Sequence, residues 1–163
     1  MTNSVLAVHE RIGTWGRQLR SRLLDRSVLI VETRSVQDLE RVLHGAASPV
    51  LLIDVGRNVR SALSDLVQAL QAAPDALTLI VDPNSLEGVA TVALELGATR
   101  VLSGPATPNE VMDVMTRWLS IAQERGKRSG WTRSESEPDA TDPWGWLVPQ
   151  IHRGSTGQRT PGN

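Results

Sequence analysis

The chain has 163 residues, with 17 Lys and Arg against 18 Asp and Glu and a net charge of -1. That balance gives no electrostatic case for a nucleic-acid or acidic-membrane partner. There is no cysteine, which excludes disulfides, thiolate zinc sites and cysteine nucleophiles.

Phe and Tyr are absent as well, so the core must be aliphatic, with Trp15 and Trp118 as its large anchors. No apolar run approaches the roughly 18 residues of a membrane span. The first apolar run, Val5 to Val8, is too short for a signal-peptide core, and cytoplasm is the expected compartment. Four further runs follow at Val28 to Val31, Val50 to Ile53, Leu77 to Val81, and Val101 to Leu102. They are continuous rather than alternating, as in parallel strands covered on both faces.

Helical spacing fills the gaps. Ile12, Trp15, Leu19 and Leu23 predict the first helix, and Val36, Leu39 and Leu43 the second. Val59, Ala62, Leu63, Leu66, Val67 and Leu70 form one apolar face of the third. Leu86, Val89, Ala90, Ala93 and Leu94 suggest the fourth. The fifth carries Val111, Val114, Met115, Trp118, Leu119 and Ala122. Its start is marked by Thr107 as cap, Pro108 at the first position and Glu110 to bond back to the cap.

Strict alternation of strand and helix with short connections predicts an α/β fold over residues 4–125. It is a doubly wound (βα)5 parallel sheet in three layers, with right-handed crossovers. Chemistry in such sheets gathers at the carboxyl ends of the strands. The residues placed there are His9, Glu10, Asp54, Asp82, Ser103 and Gly104. From Gly126 the composition turns to Gly, Ser, Thr, Pro, Asp and Glu without a period, so residues 126–163 read as a disordered tail. An apolar island, with Trp144, Trp146 and Leu147, interrupts it at 143–149. The island is either a docking motif or a segment that folds back, and docking is favoured because an apolar cluster in a polar tail otherwise only promotes aggregation.

The run Leu51-Leu52-Ile53-Asp54 and the stretch Gly97-Ala98-Thr99-Arg100-Val101-Leu102-Ser103-Gly104-Pro105 resemble the phosphoacceptor strand and the G-A-x-x-Y/F-L-x-K-P pattern of response-regulator receiver domains. The resemblance implies a flavodoxin-like receiver fold, with Asp54 as the phosphoacceptor of a two-component phosphorelay. It also implies a magnesium ion held by an acidic pair after the first strand, where His9 and Glu10 stand. The metal set it implies is Glu10 and Asp54; crowding of carboxylates at the same edge, with His9 near them, adds Asp82 to the candidate metal ligands. Asp82 occupies the place of the family's phosphoryl-binding hydroxyl, Gly104 that of its lysine, and Val101 that of its aromatic switch. A carboxylate cannot donate to a phosphoryl oxygen and repels it. The pattern is therefore that of a degenerate receiver, a pseudo-receiver.

Three functional readings follow. The first is a non-enzymatic signalling adaptor that binds a protein partner through helix four, strand five and helix five, with Glu87, Thr91, Arg100, Asp113 and Arg117 as contacts and no required cofactor. The second is a working phosphoacceptor using Asp54 and Mg2+. The third is an α/β module binding a metal or small ligand at the same edge. Asp54 reads more readily as a cap on the turn that follows it, or as a chance metal ligand, than as a phosphoacceptor, and Asp82 before Pro83 reads as a helix N-cap more readily than as a ligand. The arginines of the first helix spread around it as a solvated face. A homodimer is compatible with each reading.

Overall fold

The computed structural model describes residues 4–23 and 27–135, with side chains described to 128. Five strands form one sheet: β1 (Ser4–His9), β2 (Val28–Thr33), β3 (Val50–Asp54), β4 (Leu77–Asp82) and β5 (Arg100–Ser103). The helices between and after them are α1 (Thr14–Arg22), α2 (Val36–His44), α3 (Val59–Ala72), α4 (Val89–Glu95) and α5 (Pro108–Glu135). All pairings are parallel, in the order β2-β1-β3-β4-β5. The order reverses between β1 and β3, so the crevice at their carboxyl ends is the topological switch point.

Side chains alternate across the sheet and divide the core in two. Leu6, Val8, Val50, Leu52, Leu79 and Val81 pack with Trp15 and Leu19 of α1 and with Val111, Met115, Trp118 and Leu119 of α5. Ala7, Leu51, Ile53 and Ile80 pack with Leu39 and Leu43 of α2, Ala62, Leu66 and Ala69 of α3, and Val89 and Ala93 of α4. Both tryptophan anchors are buried.

The expected capping box opens α5: the Glu110 N–H donates to Thr107 Oγ1, and Glu110 Oε2 accepts from the Thr107 N–H at 2.7 Å and its hydroxyl at 2.9 Å. These donors hold the Glu110 carboxyl below the ordinary glutamate range. Its whole predicted apolar face is buried.

Four expectations are corrected. Ile12 precedes α1 and is 80% exposed, because Gly13 turns left-handed (φ 77) before the helix starts at Thr14. No helix opens at Pro83. Residues 83–88 form a loop, α4 begins only after left-handed Gly88, and Asp82 caps the loop rather than a helix. Leu86 and Leu94 lie exposed instead of in the core. Finally, α5 continues through Gly126 to Glu135, ten residues past the expected end at 125. The compact unit that holds the sheet ends at Ser129; the island at 143–149 lies outside the described residues.

Candidate functional site

The alternation that divides the core also divides the polar residues at the carboxyl edge. Asp54 continues the Val50 and Leu52 face toward α1. Glu10 follows Val8 toward the same helix. His9 continues the Ala7 face, and Asp82 the Ile80 face, toward α2, α3 and α4. The four titratable residues that the sequence collects at one edge therefore differ in the face they continue, yet His9, Glu10 and Asp54 border one cavity above that edge, and Asp82 does not line it.

Glu10 is 4% exposed, and its carboxylate faces the N-terminus of α1. Oε2 accepts from the N–H groups of Thr14 (2.9 Å) and Trp15 (3.0 Å), and Oε1 from that of Gly16 (2.7 Å). Gly13, at the cap position, has no side chain to do this. Glu10 satisfies three of the four amides that a helix start leaves open, and its charge opposes the helix dipole favourably.

Asp54 is half-buried, and both of its oxygens are engaged. Oδ2 accepts from the Trp15 indole N–H at 3.0 Å, and Oδ1 from the Gly56 N–H at 2.8 Å. The bond to Gly56 is the turn cap that the sequence allows. The bond to Trp15 was not legible as a pair, although a buried indole N–H calls for an acceptor and α1 covers the face on which Asp54 points.

On the other face, His9 lies between two elements. Its Nδ1 is 2.9 Å from Thr33 Oγ1 at the end of β2, and its Nε2 is 3.1 Å from Asp65 Oδ2 on α3. This link, buried at Thr33 and partly buried at Asp65, ties β1 to β2 and α3; sequence reasoning missed Asp65. Asp82 is fully buried. Oδ2 accepts from the Leu86 N–H at 2.7 Å, its carbonyl accepts from the N–H groups of Ser85 and Gly104, and Oδ1 has no partner. Asn84 donates to the Gly56 carbonyl at 3.1 Å and joins this loop to the one after Asp54.

This arrangement does not suit a magnesium ion. Glu10 is turned to three amides, Asp82 lies on the opposite face from Asp54, and among the described residues no three His, Asp or Glu side chains stand together to hold a metal. No side chain at Gly104 supplies a cation, and Gly104 is itself left-handed (φ 91).

Beside Asp54 lies a cavity of about 410 Å³ between the β1–α1 loop and the start of α3, lined among others by Arg11, Ile12, Val55, Arg57, Asn58 and Ser61. Away from this edge, Glu87, Thr91, Arg100, Asp113 and Arg117 are all exposed. Trp144, Trp146 and Leu147 lie outside the described residues.

The fold is that of a response-regulator receiver domain. Among solved structures, the chain is similar to a CheY-like protein (tadZ) of Pseudomonas aeruginosa PAO1, at 18% identity and a TM-score of 0.59, over 71% of this chain and 99% of that one. It is also similar to an orphan response regulator of H. pylori, at 16% identity and a TM-score of 0.60, over 72% and 98%. A pilus assembly-related protein of Burkholderia pseudomallei K96243 matches at 16% identity and a TM-score of 0.56, over 73% and 90%. No family model matches the sequence, and no curated protein does. Among the described residues no helix is long and apolar enough to cross a membrane.

Proposed function

We propose that the chain is a cytoplasmic signalling adaptor, a pseudo-receiver that acts by binding a protein partner and performs no phosphoryl transfer. One observation carries the reading. Of the six large hydrophobic residues exposed among the described residues, four lie on α4 or at its ends: Leu86, Val92, Leu94 and Leu96. Val92 and Leu96 are one turn apart on one flank and Leu94 is on the other, with Val89 and Ala93 facing the core between them. Exposed apolar side chains on both flanks of one short helix support a partner-binding role for α4. Glu87, Thr91 and Arg100 border it, and Asp113 and Arg117 extend it onto α5. Trp144, Trp146 and Leu147 in the tail are a second proposed contact. Pilus assembly, named for the Burkholderia neighbour, is the process in which we would look first for the partner.

The hydrogen bonds of Asp54 favour this reading over a working phosphoacceptor. A phosphoryl group on Oδ2 would displace the Trp15 N–H, and neither Asp82 nor Gly104 offers it a donor side chain. The test is magnesium with beryllofluoride, followed by amide chemical shifts. Silence in the wild-type chain supports the adaptor. Saturable shifts around residue 54 that Asp54→Asn abolishes would establish the phosphoacceptor instead. Val92→Asp with Leu94→Asp should at the same time abolish cross-linking to the partner without unfolding the domain.

A further inference from the structure

The two outer strands of the sheet, β5 and β2, are built differently. β5 is four residues long and opens on exposed Arg100. β2 runs six residues, and its stretch Val28-Leu29-Ile30-Val31 carries neither a charge nor a proline. Its register with β1 is unbroken from Val28 to Thr33, so no bulge turns the edge away. Charges, prolines, bulges and short length are the devices that keep an edge strand from pairing with another chain, and Val28 to Val31 uses none of them. Glu32 follows, its carboxylate already held by Arg20 at 2.8 Å. Leu29 lies 53% exposed.

The backbone shows which groups are open. The Thr33 carbonyl accepts from the Glu10 N–H at 3.3 Å, so Thr33, and with it Val31 and Leu29, turns its peptide groups toward β1. The alternate residues Val28, Ile30 and Glu32 turn theirs outward, and among the described residues nothing bonds to them. This row is symmetric about Ile30. When a second β2 runs antiparallel with Ile30 opposite the partner's Ile30, Val28 falls opposite the partner's Glu32 and Glu32 opposite the partner's Val28. Every outward donor then meets an outward acceptor. Leu29 and Val31 become the closely spaced pairs between these bonds, and exposed Leu29 packs on the partner's Val31. A shift of one residue sets outward groups against inward ones, and a shift of two leaves part of the row unpaired.

We propose that β2 is a homodimer interface, on which a second copy of this chain adds its own β2 antiparallel with Ile30 on the two-fold axis, joining the two five-stranded sheets into one. The occupant is a second copy because both the row of open groups and the pair Leu29 and Val31 complement themselves, as an isologous contact requires. Arg20 neutralises Glu32, so the contact buries no bare carboxylate. The pairing does not rest on the adaptor reading: α4 packs on β4 and β5 at the other end of the sheet and stays uncovered. A dimer of this form presents two α4 surfaces, and a bivalent adaptor gains avidity from them.

The experiment is sedimentation equilibrium of the full chain over a concentration series reaching about 1 mM, together with oxidative cross-linking. The wild type should show a monomer–dimer equilibrium. Leu29→Lys, at an exposed position, places a charge in each Leu29–Val31 pair and should raise the dimer dissociation constant about tenfold or more, with the urea midpoint unchanged. Leu94→Asp on α4 should leave the dimer intact. Because the chain has no cysteine, single substitutions report the register. Ile30→Cys, opposite itself, should give a disulfide-linked dimer under mild oxidation, whereas Val28→Cys, opposite residue 32, should give little. A wild type that stays monomeric throughout, an unchanged dissociation constant in Leu29→Lys, a dimer lost to Leu94→Asp instead, or equal cross-linking at positions 28 and 30 would each overturn the proposal.

Discussion

The Trp15 indole N–H donates to Oδ2 of Asp54 at 3.0 Å, so the carboxylate at the centre of the sheet is bonded to the first turn of α1. Glu10 holds the backbone of that same turn, and the three residues form a connected unit: Glu10 fixes the helix start, the helix start places Trp15, and Trp15 engages Asp54. Hydrogen bonds to ionised groups contribute about 1.5–3 kcal/mol, and partial exposure places this one at the lower end. Trp15→Phe, which keeps an aromatic ring in the core, should lower the urea-unfolding free energy by about 1–2 kcal/mol. In a double-mutant cycle, Asp54→Ala should cost less in the Trp15→Phe background than in the wild type. Strict additivity of the two changes would show that the bond contributes nothing.

The fold was legible because it depends on periods. Continuous apolar runs and 3.6-residue spacing located all five strands and five helices, and the Thr107 to Glu110 box placed the start of α5 correctly. Ile12 and Leu86 misled for one reason: apolar spacing continued past Gly13 and Gly88, whose left-handed backbone (φ 77 at each) stops the helix. The site was legible only as a list. Which side of the sheet each residue takes follows from the period of two, and the parity of Glu10 with Val8 and of His9 with Ala7 is present in the letters. The partners are not, because Trp15 meets Asp54 and His9 meets Asp65 only through packing between distant segments.

Glu10 tests whether the carboxylate after β1 has a metal role or only caps α1. Glu10→Ala would leave three largely buried amides without acceptors, and its cost should be about 2–3 kcal/mol, above that of a single lost cap. Glu10→Gln keeps one acceptor oxygen and should cost about half as much, since its NH2 group would face an amide donor. Calorimetric unfolding with and without magnesium provides the check. The midpoint of the wild type should not rise with the metal more than that of Glu10→Gln; a wild-type shift lost in the variant would restore Glu10 as a ligand.

Acid should weaken the α5 cap. Thr107 stabilises the ionised Glu110 through its backbone and side-chain donors and so lowers its pKa from 4.5. A carboxyl depressed in the folded state contributes stability that is present above its unfolded value and lost as the pH falls through the folded one. The contribution is therefore intact at neutral pH and fades below about pH 4.5. Glu110→Gln should lose stability at about pH 7 and show a shallower loss between about pH 5 and about pH 3, as read by urea midpoints across the series. Parallel curves for the two proteins would deny the carboxylate this role.

Gly16 poses a contest between helix propensity and a side chain above it. Its amide is bound by Glu10, and a Cβ there would collide with the Glu32 side chain, which pairs with Arg20 at 2.8 Å. Because Glu32 is at the flexible end of the contact, Gly16→Ala should push it aside rather than distort β2. The ion pair is half-exposed on its Arg20 side and partly covered at Glu32 and contributes about 0–1 kcal/mol, whereas alanine in place of glycine in a helix gains up to about 1 kcal/mol. The single substitution should therefore be close to neutral. With Glu32→Ala already in place, nothing remains to be displaced, and adding Gly16→Ala should raise stability by about 0.5–1 kcal/mol. Arg20→Ala supplies the internal control: its cost should vanish in the Gly16→Ala background, because the partner carboxylate has moved. If Arg20→Ala costs the same in both backgrounds, Glu32 has kept its place and the collision is relieved by movement of α1 instead.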